Sequence, residues 1–219
     1  ESLKSKTALI AGAGGLGSPV SIYLAAAGVG KLKIVDNDKV ELSNLNRQVL
    51  YGDADVGDRK SSASAKVLSK LNEDIDVESV DAVIEDDTVE DIVEECDFIV
   101  DCLDNYETRY ILNRVAVSKR LPFFHGAVEG MRGQATTIIP GETPCLKCIV
   151  PTAPSSGKFP ILGATAGLLA TIQVREVIRH VVGFGARLKN KLLLVGEGEE
   201  FEKIDVSKNS DCEVCGKPS

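Results

Sequence analysis

An apolar run, Thr7-Ala8-Leu9-Ile10-Ala11, breaks into Gly12-Ala13-Gly14-Gly15-Leu16-Gly17, and a second run, Leu32-Lys33-Ile34-Val35, ends on Asp36. Strand, glycine turn, helix and a second strand closed by a carboxylate about 20 residues on is the order of a nucleotide-binding βαβ unit. Glycines let backbone N–H groups and a helix N-terminus come close to phosphate, and a carboxylate ending the second strand accepts from a ribose hydroxyl. Gly12, Gly14, Gly15, Gly17 and Asp36 are therefore candidate nucleotide ligands. The glycine pattern alone also describes a tight strand-to-helix turn; the helix-like stretch 18–27 and the placing of Asp36 favour the nucleotide.

The alternation continues along the chain. Residues 61–72 carry Ala63, Val67, Leu68 and Leu71 at helical spacing, and 77–83 alternate as a strand. A short helix at 89–95 leads to a buried strand at 98–103, Asp104-Asn105 caps a helix over 106–118, and strands follow at 122–127 and 134–139. Residues 151–160 form a loop rich in Pro, Ser and Gly. Small and apolar residues fill 163–182, which predicts a buried helix able to pack on the sheet or on a second copy of the chain. Strands at 192–195 and 201–206 form a hairpin. The expected fold is α/β, a Rossmann-like doubly wound, mostly parallel sheet with a C-terminal β-hairpin. At 219 residues the chain suits one domain, a nucleotide-binding core over 1–140 followed by 141–219.

A net charge of −8 argues against a nucleic-acid-binding surface, which needs a basic patch to displace counterions. No apolar stretch reaches the length of a membrane span, and Glu1-Ser2-Leu3-Lys4 lacks signal-peptide character, so the expected setting is the cytoplasm. Two C-x-x-C pairs, Cys145 with Cys148 and Cys212 with Cys215, offer four thiolates for a tetrahedral Zn²⁺ that would tie the C-terminal tail onto the domain. A redox-active pair or disulfides are the rival readings; neither pair falls at a helix start in a βαβ context, and the compartment is expected to be reducing. Cys96 and Cys102 sit in apolar surroundings and read as core residues.

The polar stretch 37–57 is too polar for a buried strand and reads as a functional loop with a short helix. Within it and just beyond, Asn44, Arg47, Gln48 and Lys60 gather residue types that handle phosphate: a planar fork, a point charge and amides. Asp104 ends a strand at the edge where open α/β sheets bind ligands, and a carboxylate there can hold Mg²⁺ against a triphosphate. The set is one for ATP. Each residue also has a plainer reading: Asp104 as a helix cap, Arg47 as a surface ion-pair partner, Lys60 as a solvated lysine. Arg109 is either a structural ion-pair partner or a ligand contact. His125 reads as a hydrogen-bonded structural histidine, and His180 suits the negative end of its helix.

Taken together, Gly12 to Gly17, Asp36, the string Ser43-Asn44-Leu45-Asn46-Arg47-Gln48, Lys60, Asp101-Cys102-Leu103-Asp104-Asn105 with Arg109, and the paired cysteines resemble, in order and over nearly the whole chain, the ThiF/MoeB/HesA adenylating enzymes. These are related to the activating enzymes of ubiquitin-like proteins. The resemblance implies attack by a carboxylate on the α-phosphate of ATP, giving an acyl adenylate and pyrophosphate. It implies as substrate the C-terminal glycine of a small ubiquitin-like sulfur carrier ending in Gly-Gly, of the ThiS/MoaD type, for thiamin or molybdopterin sulfur transfer. In it Asp36 would bind ribose, Gly14 and Gly15 would approach the nucleotide, Asn44, Arg47, Gln48 and Lys60 would contact phosphates, and Asp104 would organise Mg²⁺. Catalysis would rest on Arg47, Lys60 and Asp104, and a homodimer is implied.

The chain departs from that pattern in two places. Residues 151–163 contain no cysteine, where many relatives carry one for a thioester or persulfide, so adenylation without an enzyme-bound thioester from that loop is expected. Relatives also begin with an Arg-containing segment that reaches the neighbour's nucleotide, and this sequence starts at Glu1 without it; if it was trimmed, the full-length chain should be more active. Two rival functions are a nicotinamide-dependent oxidoreductase, which leaves Arg47, Lys60 and the cysteines unexplained, and a non-catalytic carrier-binding module, which leaves Arg47, Lys60 and Asp104 without purpose.

Overall fold

The computed structural model describes residues 2–154, 160–198 and 200–216. Eight strands, β1 (Thr7–Ala11), β2 (Lys31–Val35), β3 (Asp76–Val80), β4 (Phe98–Asp101), β5 (Phe123–Glu129), β6 (Arg132–Ile138), β7 (Lys191–Val195) and β8 (Phe201–Asp205), form one sheet in the order 3-2-1-4-5-6-7-8. The helices are α1 (Gly17–Ala26), α2 (Lys60–Leu71), α3 (Val89–Ile92), α4 (Tyr106–Lys119), α5 (Leu146–Ile149) and α6 (Gly163–Val181). Among the described residues no helix is long and apolar enough to cross a membrane.

The strands are apolar on both faces because both faces are covered. Ala8, Ile10, Leu32, Ile34, Phe98 and Val100 pack with Val20 and Leu24 of α1, Leu68 of α2 and Leu169 of α6. Their neighbours in sequence, Leu9, Ala11, Val35 and Ile99, point to the opposite layer, with Val89 of α3, Leu112 of α4 and Leu146 of α5. This alternation is the period of two that a strand imposes. The T-shaped pair Phe98 and Phe124, with ring centroids 5.8 Å apart, lies at the centre of the first layer.

β3, β2, β1, β4 and β5 run parallel, but β5–β6, β6–β7 and β7–β8 are antiparallel, so the antiparallel part reaches well beyond a terminal hairpin. The cause is local: only Gly130-Met131 joins β5 to β6, with Gly130 at a φ of +62°, and a parallel crossover needs a dozen residues or more. The sheet also continues past residue 140, since β7 pairs with β6 and α6 packs on β5, β6 and α1. Glycine makes that close approach fit, because a Cβ at Gly133 would come within 2.6 Å of Leu169. Only one face of α6 is buried; Ala164, Leu168 and Arg175 are exposed along the other. The stretch 37–57 holds two short 3₁₀ turns, Leu42–Asn44 and Asp53–Asp55. Part of the expected loop at 151–160, residues 155–159, lies outside the described residues.

Two glycines separate backbone need from freedom. A Cβ at Gly17 would collide with the carbonyl oxygen of Gly12, whereas one at Gly167 of α6 would meet nothing within 4 Å. Gly17→Ala is expected to cost about 1–3 kcal/mol and Gly167→Ala to gain about 0.5–1 kcal/mol, read from urea unfolding midpoints at constant slope.

Candidate active site

The strand order reverses direction between β1 and β4, and the carboxyl ends of β1, β2 and β4 open there onto a cleft of about 720 Å³. Gly12, Gly14 and Gly15 form one wall and Asp36 closes β2 beside them. Asn44, Arg47, Gln48 and Lys60 come from the loop after β2 and the start of α2, and Asp104 enters from the end of β4. Gly17 does not line the cleft. It lets α1 start against the Gly12 carbonyl. Gly12 itself, at a φ of +94°, leaves a built Cβ only 2.8 Å from the Cys102 carbonyl oxygen, so the turn and the end of β4 touch backbone to backbone.

Asp36 accepts hydrogen bonds from the Ala13 and Asp38 amides, both at 2.8 Å, and burial raises its pKa above the ordinary carboxylate range against those bonds and the Lys60 charge. Lys60, 5% exposed, places its Nζ 2.9 Å from the Asp38 carboxylate, while its backbone N–H donates to the Asp38 carbonyl. Arg47 donates through Nη1 to the Ser43 carbonyl at 3.1 Å and to Asn46 Oδ1 at 2.9 Å, and no carboxylate pairs with it among the described residues. The first turn of α6 seats this arginine, since a Cβ at Gly163 would lie 2.8 Å from the Asn46 carbonyl oxygen. Asn44 is buried and shapes its turn by accepting from the Glu41 amide at 3.2 Å. Gln48 is buried with its Oε1 unpartnered.

Asp104 is exposed, and among the described residues its carboxylate meets only Asn105 Nδ2, at 3.4 Å. The cap of α4 is Asn105, whose side chain accepts from the Thr108 amide at 2.9 Å, so the capping role does not fall to Asp104. Behind Asp104 lies a buried polar network. Arg109, 3% exposed, sits 3.2 Å from the Asp101 carboxylate and donates to the Gly126 carbonyl at 3.0 Å and to that of Leu103. His125 Nδ1 donates to Asp101 at 2.6 Å, and its Nε2 accepts from Gln134, which also donates to the Tyr106 hydroxyl. Burial alone would raise Asp101, but Arg109 and His125 outweigh it and hold the carboxyl below its usual range; burial likewise keeps His125 below the ordinary histidine value and neutral. Arg109 is thus a structural ion-pair partner that also borders the cleft. Burial pushes the thiol of Cys96 up to about 11 and that of Cys102 well above its usual value, which leaves neither activated.

Away from the cleft, Cys145, Cys148, Cys212 and Cys215 gather with all sulfurs within 4.8 Å of one another. Cys145 and Cys212 are 3.7 Å apart and Cys148 and Cys215 3.4 Å, near the about 3.8 Å edge that four Zn–S bonds of about 2.3 Å would set. The set fits a tetrahedral thiolate metal site. Cys145 is the N-cap of the one-turn α5, which lies between the antiparallel strands β6 and β7 and so outside any βαβ unit. The convergence of all four sulfurs still favours a shared ion over a redox pair.

Motif reading did not single out Asp38 as the partner of Lys60, although the Asp36-Asn37-Asp38 spacing places two carboxylates at one strand end. The links of His125 to Asp101 and Gln134 join three strands and leave no local signal.

Glycine turn, buried acid and a wall of cations and amides at the strand switch point define a nucleotide-binding α/β protein. The sequence model of the ThiF family matches residues 1–214. The SAMP-activating enzyme E1 of Haloferax volcanii is 40% identical over 222 residues, spanning 98% of this chain and 82% of that protein. The sulfur carrier protein adenylyltransferase of Thermus thermophilus is 36% identical over 228 residues, spanning 99% and 84%. The crystal structure of E. coli MccB with ATP matches with a TM-score of 0.90 at 26% identity, over 98% of this chain and 67% of that one. The chain belongs to the ThiF family, and its activity class is adenylyl transfer.

Replacing Asp101 strands Arg109 in the interior. Asp101→Asn is expected to lower stability by about 3–5 kcal/mol at neutral pH. Because the folded pKa of Asp101 is depressed, its contribution is full above the unfolded value of about 3.9 and is lost as pH falls through the folded one. The gap between wild type and variant in urea midpoints should therefore narrow only as pH drops below about 4.

Proposed function

We propose that the protein uses ATP to adenylate the C-terminal glycine carboxylate of a small ubiquitin-like sulfur carrier ending in Gly-Gly, releasing pyrophosphate. The observation that carries this reading is the convergence on one cleft of Arg47 and Lys60 with the exposed, lightly bonded carboxylate of Asp104. A carboxylate nucleophile needs no general base; the demand is for charge neutralisation on the phosphates and in-line placement. Arg47 has a planar fork without a carboxylate partner among the described residues, and Lys60 a buried ammonium already fixed in direction. Asn44 and Gln48 bring amides to the same wall, and the Gln48 Oε1 still lacks a donor. Asp36 is placed to accept from a ribose hydroxyl in exchange for one of its backbone donors. Asp104 would hold Mg²⁺, which supplies charge neutralisation at the triphosphate.

The relatives named for sulfur-carrier and SAMP activation support the carrier as substrate, and a role in thiamin or molybdopterin sulfur transfer is the finer form of this reading. The chain acts as a single adenylating domain in the cytoplasm. Its four-cysteine cluster holds a structural Zn²⁺, and the exposed stripe of α6 with Ala164 and Leu168 faces a second copy in a homodimer.

ATP–pyrophosphate exchange with Mg²⁺ tests the reaction. Exchange is expected only with a Gly-Gly carrier present and should fall by about a hundredfold or more in Asp104→Ala; exchange independent of both overturns the reading. A strong chelator is expected to lower the melting temperature and expose four titratable thiols, while ATP binding below the new melting point persists. Unchanged melting and thiol titration would exclude the metal.

A further inference from the structure

Ala13 is the residue of the glycine turn held hardest by its surroundings. Its N–H donates to Asp36 at 2.8 Å, and its carbonyl accepts from the Tyr51 hydroxyl at 2.8 Å and from Ser18 Oγ at 3.4 Å. Tyr51 is 7% exposed and comes from the loop after the Arg47-Gln48 pair. Its hydroxyl also lies 2.9 Å from Ser64 Oγ and 3.3 Å from the Lys60 carbonyl. The phenol thus bridges the glycine turn to the first turns of α2, which carries Lys60. Burial pushes its pKa above the usual tyrosine value, so it stays a donor. A trans peptide points its N–H opposite to its C=O. With the Ala13 carbonyl drawn back onto Tyr51, the next amide, that of Gly14, is turned the other way. Gly14 lines the cleft, and its N–H has no hydrogen-bond acceptor among the described residues.

We infer that Tyr51 is a positioning residue for nucleotide binding: through the Ala13 carbonyl it aims the Gly14 N–H at a phosphate. The inference rests on the reading of the cleft as an ATP site. Tyr51 touches no ligand itself; its contribution is to hold one peptide plane, so that a phosphate meets a fixed donor instead of a turn free to rotate.

The test is calorimetric binding of ATP and of adenosine to wild type, Tyr51→Phe and Ser64→Ala, with thermal melting of each protein. Tyr51→Phe keeps the ring and removes only the hydroxyl. It is expected to weaken ATP by about tenfold, the scale of one hydrogen bond to a charged group, and to leave adenosine within about twofold of wild type. Ser64→Ala leaves the Tyr51–Ala13 bond in place and should keep the wild-type ratio of the two affinities. A hydroxyl with a merely structural role would lower the melting temperature and shift both ligands alike, which overturns the inference. Equal selective losses in both variants also overturn it, since the Ala13 bond would then not be the cause. Wild type that binds no ATP overturns the reading of the cleft itself and this inference with it, whereas ATP binding that is unchanged in Tyr51→Phe removes the inference alone.

Discussion

Backbone contact between the turn after β1 and the end of β4 is the constraint on which the site depends. The chain leaves β1 toward α1 and leaves β4 toward α4, and these helices cover opposite faces of the sheet. That divergence opens a cleft at the carboxyl edge, but only if the two exits can lie side by side. Gly12 permits it, because any Cβ would press on the Cys102 carbonyl. Gly17 permits the second half of the manoeuvre by letting α1 begin against the turn. The residues proposed to handle the nucleotide are then hung on this edge, Asp36 from the neighbouring strand, Asp104 from β4 and Lys60 from the start of α2.

The electrostatic arrangement follows from that geometry. The chain carries a net charge of −8, yet the cleft gathers Arg47 and Lys60 and places Arg109 just behind it. A buried ammonium is costly without a partner, and Lys60 has Asp38; a buried guanidinium is costlier still, and Arg109 has Asp101 with two carbonyls. Among the described residues Arg47 alone of the three has no carboxylate, which leaves its charge available for a phosphate. The Asp101 network also fixes the approach to Asp104. The Leu103 amide donates to Asp101 at 3.1 Å and its carbonyl accepts from Arg109, so the residue before Asp104 is held on both sides of its backbone.

Much of this was legible in the sequence because it is local. Glycines after an apolar run, an acid at the end of the next and amides beside Arg47 mark a strand end and the lining of its cleft within a few residues. The five parallel strands and the helices between them follow from the same alternation of periods. Three features were not legible for a common reason, their partners being far apart in the chain. The antiparallel half of the sheet depends on a two-residue turn at Gly130-Met131 whose meaning appears only once β5 and β6 are known to be strands. The His125 network takes one member each from β4, β5 and β6. Tyr51 looks like an ordinary aromatic in a polar loop until the Ala13 carbonyl is seen against it. The paired cysteines show the intermediate case: spacing singles out four candidate sulfurs, and only the fold brings Cys145 to within 3.7 Å of Cys212.

In the proposed reaction a carboxylate oxygen of the substrate attacks the α-phosphorus of ATP in the cleft at the β1–β4 switch point. Oxygen-isotope tracing addresses that bond directly. A Gly-Gly carrier labelled with ¹⁸O in its terminal carboxylate would be turned over with ATP and Mg²⁺, and the acyl product captured with hydroxylamine. The account predicts carrier hydroxamate together with AMP that has gained one ¹⁸O and pyrophosphate that has gained none. Label in inorganic phosphate, with ADP as the other product, would place the attack at the γ-phosphorus and contradict it.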